Sequence, residues 1–235
     1  MIDLTGKRIL VAGGTGNVGR YLVKAQLDAG ASVVVPSRSQ EKLDALANEV
    51  DPSHRDRLVT LAGDITDARD VVQLLISAGT LNGAVASLGK FIAAPTLLSA
   101  PSADLESAFA SYTLAHFAVA QTLLPALEEE GGGYVMINGS LAFEPDSPGA
   151  GLVAIAGAAQ SMLARVMIDE RADLRARINE IIIYSNLRPG GDNANEVKGA
   201  DIGRYVSYLL SDAGAAVKGQ IIHLRSRQDL TAAGI

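Results

Sequence analysis

The stretch Gly13-Gly14-Thr15-Gly16-Asn17-Val18-Gly19 spaces three glycines at i, i+3 and i+6, a pattern suited to holding a phosphate. Glycines so placed permit a tight strand-to-helix turn and let the backbone come close to a pyrophosphate. The helix that follows offers unpaired N–H groups and the positive end of its dipole to the anion. About twenty residues on, a second apolar run ends in Val35-Pro36-Ser37-Arg38-Ser39. An acidic residue there would accept from a ribose hydroxyl, and none is present. Arg38, with no carboxylate near it in sequence, is suited to charge-assisted bonds with a 2′-phosphate. Ser37 and Arg38 therefore favour NADP(H) over NAD(H). The plainer alternatives are a ligand-free turn and a solvated loop arginine.

These residues need a scaffold, and the chain supplies one. Short apolar runs alternate with helix-length amphipathic segments, the pattern of βαβ units and a mostly parallel sheet. Strands are predicted at Arg8–Ala12, Ser32–Val35, Leu58–Ala62, Ala84–Ala86, Tyr134–Ile137, Ile178–Ile183 and Gln220–Leu224. Their near-continuous Val and Ile predict burial on both faces. Helices are predicted over Val18–Ala29, Gln40–Val50, Asp67–Ser77, Ser102–Glu129, Leu152–Ala172 and Ala200–Leu210, with Gly30, Gly79 and Gly131 where C-caps belong. The polar, Gly-rich stretch Ser185–Lys198 reads as a mobile lid. With no repeat, linker or low-complexity tract, residues 1–235 read as a single α/β domain with a Rossmann-type doubly wound parallel sheet.

Composition narrows the function classes. Hydrophobic residues make up 48% and charged residues 20%, which excludes a disordered chain. Aromatic content of 4% predicts an aliphatic core. A net charge of -6 argues against non-specific binding to nucleic acid or an anionic membrane. The absence of cysteine removes disulfides, thiolate nucleophiles and thiolate metal sites, and His54, His116 and His223 are too isolated for a metal. No signal-peptide pattern precedes the first strand, so a cytoplasmic location is expected. The uncharged run from Ser147 to Ala164 is broken by Pro148, Gly149, Gly151 and Gly157, and reads as a helix buried between subunits rather than a membrane span.

The order of these elements resembles the short-chain dehydrogenase/reductase family over nearly the whole chain. Gly13, Gly16 and Gly19 are similar to the GxxGxxG turn of its extended and atypical members. Asp64-Ile65 matches its adenine-contacting Asp-Val, and Ala86-Ser87-Leu88-Gly89 stands where Asn-Asn-Ala-Gly is usual. Gly133 to Ser140 (GYVMINGS) is similar to the strand that carries the catalytic serine, which places Ser140 there. Arg177-Ile178-Asn179 resembles its Arg-Val-Asn, and Ser211-Asp212 with Gly219-Gln220 its approach to the last strand. The resemblance implies a seven-stranded sheet of order 3-2-1-4-5-6-7 and a cofactor site formed by Gly13, Thr15, Gly16, Asn17, Val18, Gly19, Ser37, Arg38, Asp64, Ile65, Ser87, Leu88 and Gly89.

The departures lie in the catalytic half. Val153 stands where the family has its tyrosine, and Gly157 where it has its lysine. Realignment rescues neither, because no Tyr lies between Tyr134 and Tyr184 and no Lys between Lys90 and Lys198. Tyr112 aligns with the family's helix asparagine, Ile183-Tyr184 replaces the usual Pro-Gly (Pro189-Gly190 follows), and Leu224-Arg225-Ser226-Arg227 stands where Asp-Gly-Gly is expected. In such a reductase a phenol tuned by a nearby ammonium gives a proton to the developing alkoxide. Losing a positioned general acid costs about 10²- to 10⁴-fold. Ser140 can polarise a carbonyl but is a poor proton source alone. Tyr112, His116 one turn later, which titrates near neutrality when free, and Tyr184 are the candidate substitutes. Packing or subunit contact accounts for the first two as well, and loop anchoring for Tyr184.

Three functions follow as alternatives. The first is an NADP(H)-dependent oxidoreductase acting on a small carbonyl or alcohol by an unconventional proton route. The second is a non-catalytic nucleotide-binding sensor, scaffold or partner subunit. The third is a non-redox isomerase or lyase use of the same fold. A homodimer or homotetramer is expected through helices Ser102–Glu129 and Leu152–Ala172, the latter slim at Gly151, Ala154, Ala156, Gly157, Ala158 and Ala159.

Overall fold

A computed structural model describes residues 2–128, 131–170, 175–185, 197–232 and 234. The apolar runs form β1 (Arg8–Ala12), β2 (Ser32–Ser37), β3 (Leu58–Ala62), β4 (Gly83–Ala86), β5 (Gly133–Gly139), β6 (Arg177–Ile183) and β7 (Gln220–Leu224). They pair in parallel as one seven-stranded sheet of order β3-β2-β1-β4-β5-β6-β7. Successive side chains point to opposite faces, so each strand feeds two cores. Ile9 and Val11 enter the layer built by α1 (Gly19–Asp28), α2 (Gln40–Glu49) and α7 (Gly199–Leu210). Leu10 and Ala12 enter the layer built by α3 (Ala68–Ala78) and the two long helices α5 and α6 described below.

Local chemistry sets the helix ends. The Ser39 hydroxyl accepts from Lys42 N to open α2, and the Asp67 carboxylate accepts from Arg69 N to open α3. Gly30 follows the end of α1 and Gly79 closes α3, both at positive φ as the sequence predicts. Several strands outrun their predicted ends; β5 reaches Gly139 because its ladder with β6 continues to the Gly139–Ile183 pair.

The predicted helix from Ser102 is not uniform. It consists of α4 (Ser102–Phe109), a π-helical turn (Ala110–Leu114) and α5 (Ala115–Glu128). The wide turn lets the Thr113 hydroxyl donate to the Ala156 carbonyl at 3.0 Å, tying it to α6 (Gly151–Glu170). Part of the slimness of α6 serves packing within the chain, while Gly151, Ala158 and Ala159 are not buried. Ala154, Ala156 and Gly157 are buried within the chain, and a Cβ on Gly157 would lie 3.2 Å from the Asn138 carboxamide oxygen and 3.3 Å from Ala142. The outward face of α6 carries Ile155, Met162 and Val166 instead. Among the described residues α6 alone is long and apolar enough to cross a membrane, and its buried positions pack on the sheet. Residues 171–172 and Glu129, predicted as helix, lie outside the described residues, as does most of the Ser185–Lys198 segment with Pro189-Gly190. Among the described residues the last element is the short helix α8 (Arg227–Ala232).

Candidate functional site

The strand order reverses between β1 and β4, and their carboxyl ends open the crevice where ligands bind in open α/β sheets. Gly13 leaves β1 at φ +82°, and a Cβ there would stand 2.1 Å from the Ser87 carbonyl oxygen. The turn therefore sits against the β4 end more closely than any side chain allows. Gly16 N donates to the Gly13 carbonyl at 2.9 Å and folds the loop back. In the first turn of α1, Arg20 N donates to the Gly16 carbonyl and Tyr21 N to the Val18 carbonyl. The amides of Asn17, Val18 and Gly19 have no acceptor among the described residues and remain as donors for an anion at the loop. This backbone cradle fits a pyrophosphate. Thr15, Gly16, Asn17, Arg20 and Lys42 line a cleft of about 310 Å³ beside it.

Arg38 has a carboxylate neighbour in space, one that its sequence surroundings do not supply. The ladder pairs Ser37 with Ala62, which brings Asp64 to the end of β2, and its carboxylate lies 3.6 Å from the guanidinium. One Asp64 oxygen accepts from Thr66 N at 2.9 Å and from the Thr66 hydroxyl at 2.6 Å, so this carboxylate is fixed. The Arg38 side chain is 82% exposed, so the ion pair is weak and open to exchange for a phosphate. Ile65 is buried in the core beneath.

At the end of β4, Ser87 N donates to the Ala12 carbonyl, and Leu88 and Gly89 turn toward the π-helical segment. The Tyr112 ring lies against Gly89, 2.5 Å from where a Cβ would be. Leu105, Phe109, Leu152 and Ala156 surround it in an apolar cluster. Burial pushes the Tyr112 phenol up. His116 reaches the Leu88 carbonyl through Nε2 at 3.3 Å, is fully buried, and its Nδ1 has no hydrogen-bond partner among the described residues. Burial, only partly opposed by the Leu88 contact, lowers its pKa to about 4, so the expectation of titration near neutrality is corrected.

Ser140 begins a 3₁₀ turn at the end of β5, partly buried, and its carbonyl accepts from Phe143 N and Glu144 N. Val153 and Gly157 are buried on α6. Beneath Gly157 lies a polar cluster that sequence reading missed. Asn138 donates to the Gly157 carbonyl at 2.9 Å and to Glu180 at 3.0 Å, while Ser161 donates to the other Glu180 oxygen at 2.7 Å. Gln160 adds a donor to Glu180 at 3.4 Å. Glu180 is fully buried; burial raises its pKa, opposed by the hydrogen bonds and by Arg165. The signal was a lone acid in the apolar strand Ile178–Ile183.

A second cluster joins the ends of β5, β6 and β7. The Tyr184 hydroxyl lies 2.9 Å from His223 Nδ1 and accepts from Arg225 at 2.9 Å. The Arg225 guanidinium stacks 4.0 Å from the Tyr184 ring centroid and pairs with Glu144 at 2.8 Å. Phe143 packs edge-on against His223, and Arg165 lies over Phe143. Burial raises the Tyr184 phenol, with Arg225 opposing and Glu144 assisting. Burial also lowers His223, with help from Arg225.

Comparison with known proteins agrees with this architecture. A family model described as short chain dehydrogenase matches residues 7–186. The chain is 28% identical over 247 residues to an uncharacterized oxidoreductase of Mycobacterium tuberculosis, covering 95% of this chain and 92% of that one. It is 28% identical over 180 residues to an oxidoreductase of Sarocladium schorii, covering 75% and 70%. A solved short-chain type dehydrogenase/reductase from Mycobacterium marinum superposes with a TM-score of 0.84 over 95% of both chains at 21% identity.

Proposed function

Because the chain belongs to the short chain dehydrogenase family, we propose that it binds NADP(H) across the carboxyl ends of β1, β2 and β4 and acts as an oxidoreductase on a small carbonyl or alcohol. The observation that carries the binding half is the Gly13 cradle, closed to any side chain by the Ser87 carbonyl. Gly13 to Gly19 hold the pyrophosphate, Ser37 and Arg38 the 2′-phosphate, and Asp64 with Ile65 flank the adenine. Ser87, Leu88 and Gly89 line the path toward Ser140. Bound there, the nicotinamide supplies or accepts hydride. Ser140 polarises the carbonyl oxygen, and the apolar wall of Leu152, Val153 and Ala156 excludes water.

Calorimetric titration with NADPH and NADH tests the binding half. Arg38→Glu is expected to weaken NADPH by about 10- to 100-fold, the loss of one charge-assisted bond of about 1.5–3 kcal/mol, while NADH changes little. Uptake of neither nucleotide would overturn the reading. A panel of carbonyls with NADPH tests the redox half. The aliphatic carbon at Val153 and Gly157 favours a second reading, nucleotide binding without turnover, which predicts saturable uptake and no oxidation of cofactor. A product formed without consumption of cofactor would instead indicate a non-redox isomerase or lyase.

Self-association completes the reading. Leu114 and Phe117 on the π turn and α5, with Ile155, Met162 and Val166 on α6, expose large apolar side chains. A dimer or tetramer through these helices would cover them. Light scattering is expected to give at least twice the chain mass, and the double change Phe117→Glu with Met162→Glu to return it to one.

A further inference from the structure

The family-placed acid–base pair is aliphatic here, yet a phenol and a fixed cation meet elsewhere at the same end of the sheet. We propose that Tyr184 is the general acid of this protein, with Arg225 in the electrostatic role of the missing lysine and His223 as the proton relay to solvent. The inference rests on the oxidoreductase reading and names its proton donor.

Three geometric facts carry it. The β5–β6 ladder ends on the Gly139–Ile183 pair, and Ser140 and Tyr184 are the residues that directly follow it at the ends of the two strands. By alternation Tyr184 follows Ile182 on the α6 face of the sheet, the face that also carries Asn138, Glu180 and His223, while Ser140 opens the 3₁₀ turn that follows β5. The carbonyl-polarising hydroxyl and the phenol therefore leave the sheet from the same end of two paired strands. Second, a guanidinium only donates, so the Tyr184 oxygen accepts from Arg225, and the phenol also lies 2.9 Å from His223 Nδ1, a contact whose direction follows the imidazole tautomer. Third, Arg225 is held from behind by Glu144 and stacked on the Tyr184 ring, so its charge is fixed beside the oxygen that would become a phenolate.

In the reductive direction the balance is simple. A reduced dinucleotide held at Gly13 to Gly19 would supply the hydride for the new C–H bond, and the carbonyl π pair would move to oxygen. The Tyr184 O–H bond breaks and its proton forms the alcohol O–H. Phenolate would remain beside Arg225, and a proton delivered through half-buried His223 would restore the phenol, the hydride having carried both electrons from the dinucleotide to the carbonyl. A phenol held above its usual range is protonated throughout the neutral range, which is the state this direction requires.

Tyr184→Phe keeps the ring and its stacking while removing the proton. It is expected to lower kcat for NADPH-dependent carbonyl reduction by about 100-fold or more with NADPH affinity unchanged. A second measurement needs neither substrate nor cofactor. The ultraviolet tyrosinate titration of wild type minus Tyr184→Phe isolates this phenol, and Arg225→Gln is expected to raise it by about 1–3 pKa units, the effect of a cation removed from within 6 Å. Turnover that survives Tyr184→Phe would overturn this inference alone. An unshifted phenol in Arg225→Gln would overturn the role of Arg225 and the pairing on which the inference stands. A wild type that binds NADPH but reduces no carbonyl would overturn the oxidoreductase reading and this one with it.

Discussion

Gly19→Ala is expected to abolish measurable nucleotide binding and to lower the melting temperature, whereas Gly139→Ala is expected to do neither. A Cβ at Gly19 would stand 2.0 Å from the Gly13 carbonyl oxygen and 2.7 Å from the Gly14 Cα. Ordinary van der Waals contact begins near 3.4 Å, and both obstacles are backbone, so no side chain can swing aside. The turn has to open, and opening it moves Gly13 away from the Ser87 carbonyl and displaces the Asn17 to Gly19 amides that would meet the phosphate. Overpacking of this kind costs about 1–3 kcal/mol in stability, occasionally more. The same displacement removes the aligned N–H donors, so affinity should fall by at least about 100-fold, equivalent to about 3 kcal/mol. Gly139 has open space where its Cβ would be and an extended backbone, which makes it the matched control. Gly16, whose Cβ would meet the Gly13 oxygen at 3.2 Å, should fall between the two. Thermal melts and calorimetric NADPH titrations of the three variants check the order. Equal binding by Gly19→Ala and Gly139→Ala would show that the cradle is not the phosphate site.

Much of this architecture was legible because it is written in short-range patterns. The run Arg8–Ala12 is continuous and apolar, is followed by Gly13, and forms β1 with both ends as predicted. Leu58–Ala62 and Gln220–Leu224 behave alike. What escaped depends on register. Asp64 is twenty-six residues from Arg38 and meets it only because Ser37 pairs with Ala62 across β2 and β3. Tyr184, His223 and Arg225 converge because β6 and β7 pair at Ile183 and Leu224, while Glu144 arrives from the turn after β5. Asn138, Gln160, Ser161 and Glu180 join across two strands and a helix, and no spacing within any one element announces them. The π turn at Ala110–Leu114 is hidden for another reason. Its sequence fits an ordinary helix, and the contact from Thr113 to the Ala156 carbonyl belongs to the tertiary packing around it. Local periodicity therefore locates the cradle, whereas the two polar clusters beside Ser140 need the sheet to be assembled first.

The buried imidazole gives the protein an acid limb of stability that a single substitution should remove. His116 has a pKa of about 4 in the folded chain against 6.5 when free, because burial disfavours the imidazolium. Its neutral form is the one the fold accepts, so this contribution is fully present above pH 6.5. As pH falls from 6.5 toward 4 the unfolded chain takes up the proton and the folded chain does not, and stability is lost over that interval. The difference amounts to about 3 kcal/mol. Glu180 acts with the opposite sign, since burial raises its pKa and acidification neutralises a carboxylate that the interior disfavours. The two effects overlap, so only a variant separates them. His116→Leu removes the titration but leaves the Leu88 carbonyl without its donor, at a cost of about 1 kcal/mol at neutral pH. Urea midpoints should therefore cross: wild type is the more stable at pH 7, and His116→Leu at pH 4. Parallel curves across that interval would place the acid sensitivity elsewhere in the chain.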